Sequence, residues 1–162
     1  MSENVHLIKS TLQNLGKYSE AEKLEIQILD ASSRILGVEH PDTINAMASL
    51  AAIYRNLGRY TEEEKLDIQV LDARKRIFGM QHPDTLNAME NLAATYQHLG
   101  KYTKAEKLEI QVLDVRKGRL GQEHSDTIRA MGNLALIYQK LGKYTAASNL
   151  DTQVLDATTT PF

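Results

Sequence analysis

Three histidines stand 42 residues apart, His40, His82 and His124, and evenly spaced imidazoles invite a metal site. Each opens a short linker: His40-Pro41-Asp42-Thr43, His82-Pro83-Asp84-Thr85 and His124-Ser125-Asp126-Thr127. Zinc requires its nitrogen ligands at about 2 Å from one point. Packed helices lie about 8–10 Å apart, so equivalent residues of successive repeats cannot converge there. The histidines therefore read as linker residues that bond the backbone, and no metal is expected. Gly16-Lys17-Tyr18-Ser19 and Gly100-Lys101-Tyr102-Thr103 contain the Gly-Lys of a phosphate loop. Tyrosine stands where Ser or Thr should follow the lysine, and the earlier glycine is missing. The acids Asp30, Asp72, Asp114 and Asp156 recur at the same interval, which marks architecture rather than a unique catalytic pair. No serine triad, His-Glu-x-x-His pattern or glycine-rich nucleotide loop occurs, so no catalytic residue and no cofactor is expected.

What recurs is the whole chain. Gly16, Gly58, Gly100 and Gly142 keep step, as do Tyr18, Tyr60, Tyr102 and Tyr144, and Leu24, Leu66, Leu108 and Leu150. Residues 42–83 and 84–125 are identical at about 25 of 42 positions, a period of the length that stacked arrays use. Met47, Leu50, Ala51, Tyr54 and Leu57 fall at helical spacing and predict a helix A that Gly58 ends. Thr61 with Glu64 predicts a capping box opening helix B, repeated at Ser19/Glu22 and Thr103/Glu106. Helix B carries Leu66, Val70, Leu71, Ala73 and Ile77, and Gly79 stops it. The expected helices cover 3–15, 19–36, 42–57, 61–78, 84–99, 103–120, 126–141 and 145–157. They form four helix-turn-helix repeats, at about 1–41, 42–83, 84–125 and 126–157. The fold class is all-α, a solenoid with a single array over 1–157 and a disordered tail at 158–162. Lys9, Ser10 and Thr11 replace Ala51, Ala52 and Ile53, which reads as a polar cap on the first helix. Gly118 inside a helix marks a weak place, since glycine there costs about 1 kcal/mol relative to alanine.

The chain has 162 residues, a net charge of -2 and a pI near 6.2. That balance gives no general attraction to nucleic acid or to anionic lipid. Arg74-Lys75-Arg76 and Arg116-Lys117-Gly118-Arg119 sit in the last turns of B helices, where cations complement the helix dipole. Cysteine is absent, which removes disulfides and thiolate chemistry together. No apolar run approaches the ~20 residues of a membrane span, and the first residues lack the form of a secretion signal. The expectation is a soluble, cytoplasmic chain with no nucleic-acid or membrane partner.

Leu50-Ala51-x-x-Tyr54, Gly58-x-Tyr60 and the small residues Ala21, Ala105 and Ala147 resemble the tetratricopeptide repeat. The 42-residue form with its His-Pro-Asp-Thr link is similar to kinesin light chain repeats and to the C-terminal arrays of fungal NACHT and NB-ARC proteins. Glu63 departs from the small residue, and Ser125 from the linker proline. The resemblance implies a right-handed superhelix whose A helices line a concave groove for an extended peptide or a partner helix. Residues implied on that face are Asn45, Ser49, Arg55 and Asn56, then Asn87, Asn91, Gln97 and His98, then Arg129, Asn133, Gln139 and Lys140. Ala48, Glu90 and Gly132, and Ala52, Ala94 and Leu136, lie among them. Asn and Gln carry both donor and acceptor, so they suit the backbone of an extended partner. Asn91 and Asn133 stand where related arrays hold a peptide main chain.

The function expected is a non-catalytic protein-interaction scaffold whose partner is a protein or peptide. One alternative is a structural segment that associates weakly with its own kind, end to end, through Leu150, Val154 and Leu155, with no groove ligand. These three lie on the last B helix, where no further repeat follows to cover them. An RNA-binding helical repeat is a further alternative, disfavoured by the charge.

Overall fold

The computed structural model describes residues 2–159, with side chains from Thr11 onward apart from Leu12 and Gln13. Its helices are α1 (Ser2–Ile35), α2 (Pro41–Asn56), α3 (Tyr60–Phe78), α4 (Pro83–His98), α5 (Tyr102–Leu120), α6 (Ser125–Lys140) and α7 (Tyr144–Thr159). Among the described residues there is no strand. The chain packs as two units, Met1–Ala73 and Arg74–Phe162, and the boundary falls within α3. In the first unit α1 packs on α2; in the second, α4 packs on α5, α5 on α6 and α6 on α7.

Each A-to-B turn is made the same way. At the end of α4, Gly100 takes φ +71, its N–H donates to the Gln97 carbonyl, and the Lys101 N–H donates to the Tyr96 carbonyl. This paired bonding beyond a left-handed glycine closes off the orphan carbonyls of a helix end. Lys101 then places its ammonium 5.9 Å from the centroid of the Tyr96 ring, whose backbone carbonyl it has just bonded. Arg59 repeats this over Tyr54 at 4.5 Å, and Lys143 over Tyr138 at 5.6 Å. Tyr96 is buried, as the pattern predicts, whereas Tyr54 and Tyr138 are half-buried under their cations. The expected capping box at Thr103 and Glu106 does not form. Helix α5 starts one residue earlier, at Tyr102, with Lys101 at its N-cap and no side-chain cap bond, which leaves Thr103 inside the first turn.

The B-to-A linkers are capped by their histidines. Nδ1 of His40, His82 and His124 accepts the N–H of Asp42, Asp84 and Asp126 at 3.2, 3.1 and 3.1 Å. This is the backbone role expected of them. The neighbouring threonines Thr43, Thr85 and Thr127 are fully buried. Thr43 Oγ1 donates to the Gly37 carbonyl at 2.8 Å and Thr85 Oγ1 to the Arg74 carbonyl at 3.3 Å. Thr127 Oγ1 has no partner among the described residues.

The first expected hairpin is absent. Helix α1 runs 34 residues without a break, straight through Gly16 and past Ser19 and Glu22. Glycine in a helix interior costs only about 1 kcal/mol, so the turn must be made by packing rather than by the glycine itself. That packing has no sequence counterpart here, because Leu12 stands in the tyrosine register and Lys9 and Thr11 in the core registers of helix A. The side chains of Lys9 and Ser10, assigned above to a cap, lie outside the described residues. One consequence is measurable on α1. Leu24 is 58 % exposed and Ile28 45 %, whereas Val70 and Val112, in the register of Ile28, are buried. At the other end, α7 continues to Thr159, so residues 158 and 159 are helix rather than tail. Their hydroxyls donate to the carbonyls of Val154 and Leu155, the back-bonding that satisfies a threonine hydroxyl within a helix. Residues 160–162 lie outside the described residues.

Candidate functional site: the exposed face of α4 and α6

Helices α4 and α6 both pack against α5, and each leaves one stripe open at helical spacing. On α4 the stripe is Asn87, Asn91 and His98, all exposed, with Glu90, Ala94 and Gln97 half-buried beside it. On α6 it is Arg129, Leu136, Gln139 and Lys140, all exposed, with Gly132 and Asn133 half-buried. Arg129 Nη2 reaches Glu90 Oε2 at 3.5 Å, which ties the two stripes side by side. Where the helices start, a cleft of about 670 Å³ opens between them and the last turns of α5. Leu86, Val115 and Leu120 form its apolar wall, and Asn87, Arg119 and Arg129 its polar rim.

Charges beneath this face are paired across elements. Arg116 of α5 is buried and grips Glu90 of α4 with both terminal nitrogens, at 2.5 and 2.8 Å. Its Nη1 also donates to the Asp126 carbonyl at 3.2 Å. Planar two-nitrogen pairing of this kind fixes orientation as well as charge. Arg129 is shared between Glu90 and Asp126, the latter at 3.2 Å. Asn133 Nδ2 lies 3.5 Å from Oε1 of Glu109, whose carboxylate is buried and whose Oε2 has no partner. Burial, then the nearby charge of Glu90, pushes the Glu109 carboxyl up to about 7. Arg116, Asn133 and Arg129 pull it the other way.

Several expected site residues change role. Asn45 and Ser49 are exposed on α2 in the first unit. Arg55 is half-buried and already paired within the protein: its Nε meets Glu63 Oε1 at 2.5 Å. The two departures explain each other. Glu63 occupies the small-residue position and is fully buried, and Arg55, the arginine in the Gln97/Gln139 register, neutralises it. Asn133 is not a purely surface group, because it supports Glu109. The C-terminal trio does not form one open face. Leu150 is only 7 % exposed and Val154 half-buried; they face the helix of their own hairpin, α6. Leu155 is 61 % exposed, whereas Leu113, in the same register of α5, is buried.

Glu109 and Arg116 were not singled out as site residues from the sequence. The available signal was a charge inside a B-helix apolar face, in line with Val112 and Leu113. Among the described residues no group of three His, Cys, Asp or Glu side chains stands close enough to hold a metal ion. None of the described helices is long and apolar enough to cross a membrane.

These features define a helical-repeat protein. The tetratricopeptide repeat model matches residues 3–76, 47–118 and 84–160, and the chain belongs to the tetratricopeptide repeat family. No curated protein matches it. Among solved structures it is similar to a Podosopora anserina protein assigned as a kinesin light chain, with nearly identical TPR-like repeats. The two are 29 % identical with a TM-score of 0.82, over 96 % of this chain and 74 % of that one. A point variant of the same protein aligns at 28 % identity with the same TM-score and coverage. BtubC (BKLC) from P. vanneervenii shares the fold at 18 % identity and a TM-score of 0.78, over 88 % of this chain and 57 % of that one.

Proposed function

We propose that the chain is a non-catalytic scaffold that holds an extended peptide or a partner helix on the A-helix face, and that α4 and α6 form its principal contact. Tetratricopeptide repeats as a class mediate protein–protein interaction. The observation that supports this finer assignment is the pair of open stripes on α4 and α6, carrying Asn87, Asn91 and Gln97 on the first and Asn133 and Gln139 on the second, bridged by Arg129 and Glu90, with a cleft at one end. Carboxamides offer a donor and an acceptor together, which matches the alternating N–H and C=O of an extended chain. The cleft is of the size that accommodates a small ligand or a few side chains, and its apolar wall suits an anchoring side chain of the partner. A peptide-library pull-down tests the assignment, comparing the wild-type protein with Asn87→Ala/Asn91→Ala. Both residues are exposed, so the melting temperature should hold, since such changes stay within about 0.5 kcal/mol. Capture should fall. Undiminished capture by a folded double variant would move the contact elsewhere.

A further inference from the structure

Glu109 lies midway along α5, is 1 % exposed, and has α4 and α6 packed against its helix. The charged groups acting on it are Glu90 from α4, Arg116 from α5 itself and Arg129 from α6. Arg116 bonds Glu90 and the Asp126 carbonyl through its terminal nitrogens and acts on Glu109 by charge alone. Among the described residues the one hydrogen bond of the Glu109 carboxylate is the long one from Asn133 Nδ2, and the second carboxylate oxygen is buried without a partner. An ionised carboxylate only accepts hydrogen bonds, whereas a protonated one also donates. An asparagine amide has one end of each kind. Ionised Glu109 draws in the amide NH2 and turns the carbonyl of Asn133 outward. Protonated Glu109 donates to that carbonyl once the amide has turned over, and the NH2 then faces out.

We propose that Glu109 is a positioning residue for Asn133, and that one proton on its carboxyl reverses the hydrogen-bonding polarity that α6 presents to a bound peptide. The proposal rests on the peptide-binding function above but has a readout independent of it. The Glu109 carboxyl, pushed up to about 7, sets the change near neutral pH.

The experiment follows the side-chain amide resonances of Asn133 and the carboxyl carbon of Glu109 by NMR in the intact protein without ligand, from about pH 3.5 to about pH 8.5, a range that spans the ordinary glutamate value as well as the raised one. The expected result is one shared midpoint for the two groups. The Asn133 change should vanish in Glu109→Gln, and Asn91 should stay still throughout. A Glu109 carbon that titrates while Asn133 does not respond overturns the proposal. So does a Glu109 midpoint in the ordinary carboxylate range, which the wild-type protein alone reveals if the variant fails to fold. A second arm measures capture on beads carrying random-sequence peptides. Wild-type capture should change by about fivefold to tenfold across the window, the scale of one hydrogen bond, and Glu109→Gln capture should be flat. Wild-type capture that is flat while Asn133 titrates overturns the link to the peptide face. Absence of capture at every pH, with the shared midpoint present, counts against the peptide-binding function and not against the positioning of Asn133.

Discussion

Among the described residues, Glu109 Oε2 of α5 and Thr127 Oγ1 of α6 are buried without partners, and they make opposite demands. A hydroxyl with no partner loses its water bonds on burial and regains nothing, so replacing it by a methyl of the same shape removes that penalty. Thr127→Val should therefore leave stability unchanged or raise it by up to about 1 kcal/mol in denaturant unfolding. The same change at Thr43, which bonds the Gly37 carbonyl, should lower it. Glu109 acts through pH. Unfolded, it loses its proton near the ordinary glutamate value of about 4.3. Folded, it holds the proton until about 7. Between those values the folded state binds more protons, so stability falls as pH rises through the window and levels off above it. The drop attributable to this residue is on the order of 3 kcal/mol. Glu109→Gln should lack that drop and be more stable than wild type at alkaline pH, as a series of unfolding curves will record. A wild-type stability that is flat over the window would show the carboxyl to be satisfied. Residue-scale roles were partly legible in the sequence. The histidine caps followed from their spacing, because the linker is local and repeats. The pairing of Arg55 with Glu63 was not, because a departure from the pattern shows its compensation only once the two helices are side by side.

At the scale of the element, glycine has two meanings that the sequence writes identically. Gly58, Gly100 and Gly142 lie at positive φ and end A helices; Gly16, with the same neighbours, lies inside α1. What separates them is the tyrosine ring beneath the following cation and the apolar register of the helix before it, a tertiary difference that local propensity does not carry. Helix periods, the B-helix stops and the linkers were therefore readable from residues 42 to 157, and the first turn was not. Gly118 is a glycine of the helical kind. It sits within α5, and a Cβ built there meets nothing within 4 Å. Gly118→Ala should stabilise the protein by roughly 0.5–1 kcal/mol, the helix-propensity difference. A loss of stability in thermal unfolding would mean that the last turns of α5 are not helical in solution.

At the scale of the whole molecule, a repeat array leaves its ends and its open faces to other molecules. One open position is Leu155, 61 % exposed where its counterpart Leu113 is buried. Leu155→Lys should abolish any concentration-dependent association seen by sedimentation and leave the fold intact. Leu150→Lys should instead unfold the last hairpin, because Leu150 is core. The open face was legible in the sequence as a list of amides, and its charge network was not, because Glu90, Arg116 and Arg129 are far apart along the chain and meet only through helix packing. The central claim is that α4 and α6 hold the partner. Backbone NMR of the protein, titrated with a peptide selected on the beads, tests it most directly. The expected result is that shifts concentrate at Asn87, Asn91, Arg129 and Asn133 and in the first turns of the two helices. Shifts confined to α7 around Leu155, with α4 and α6 unmoved, would contradict it.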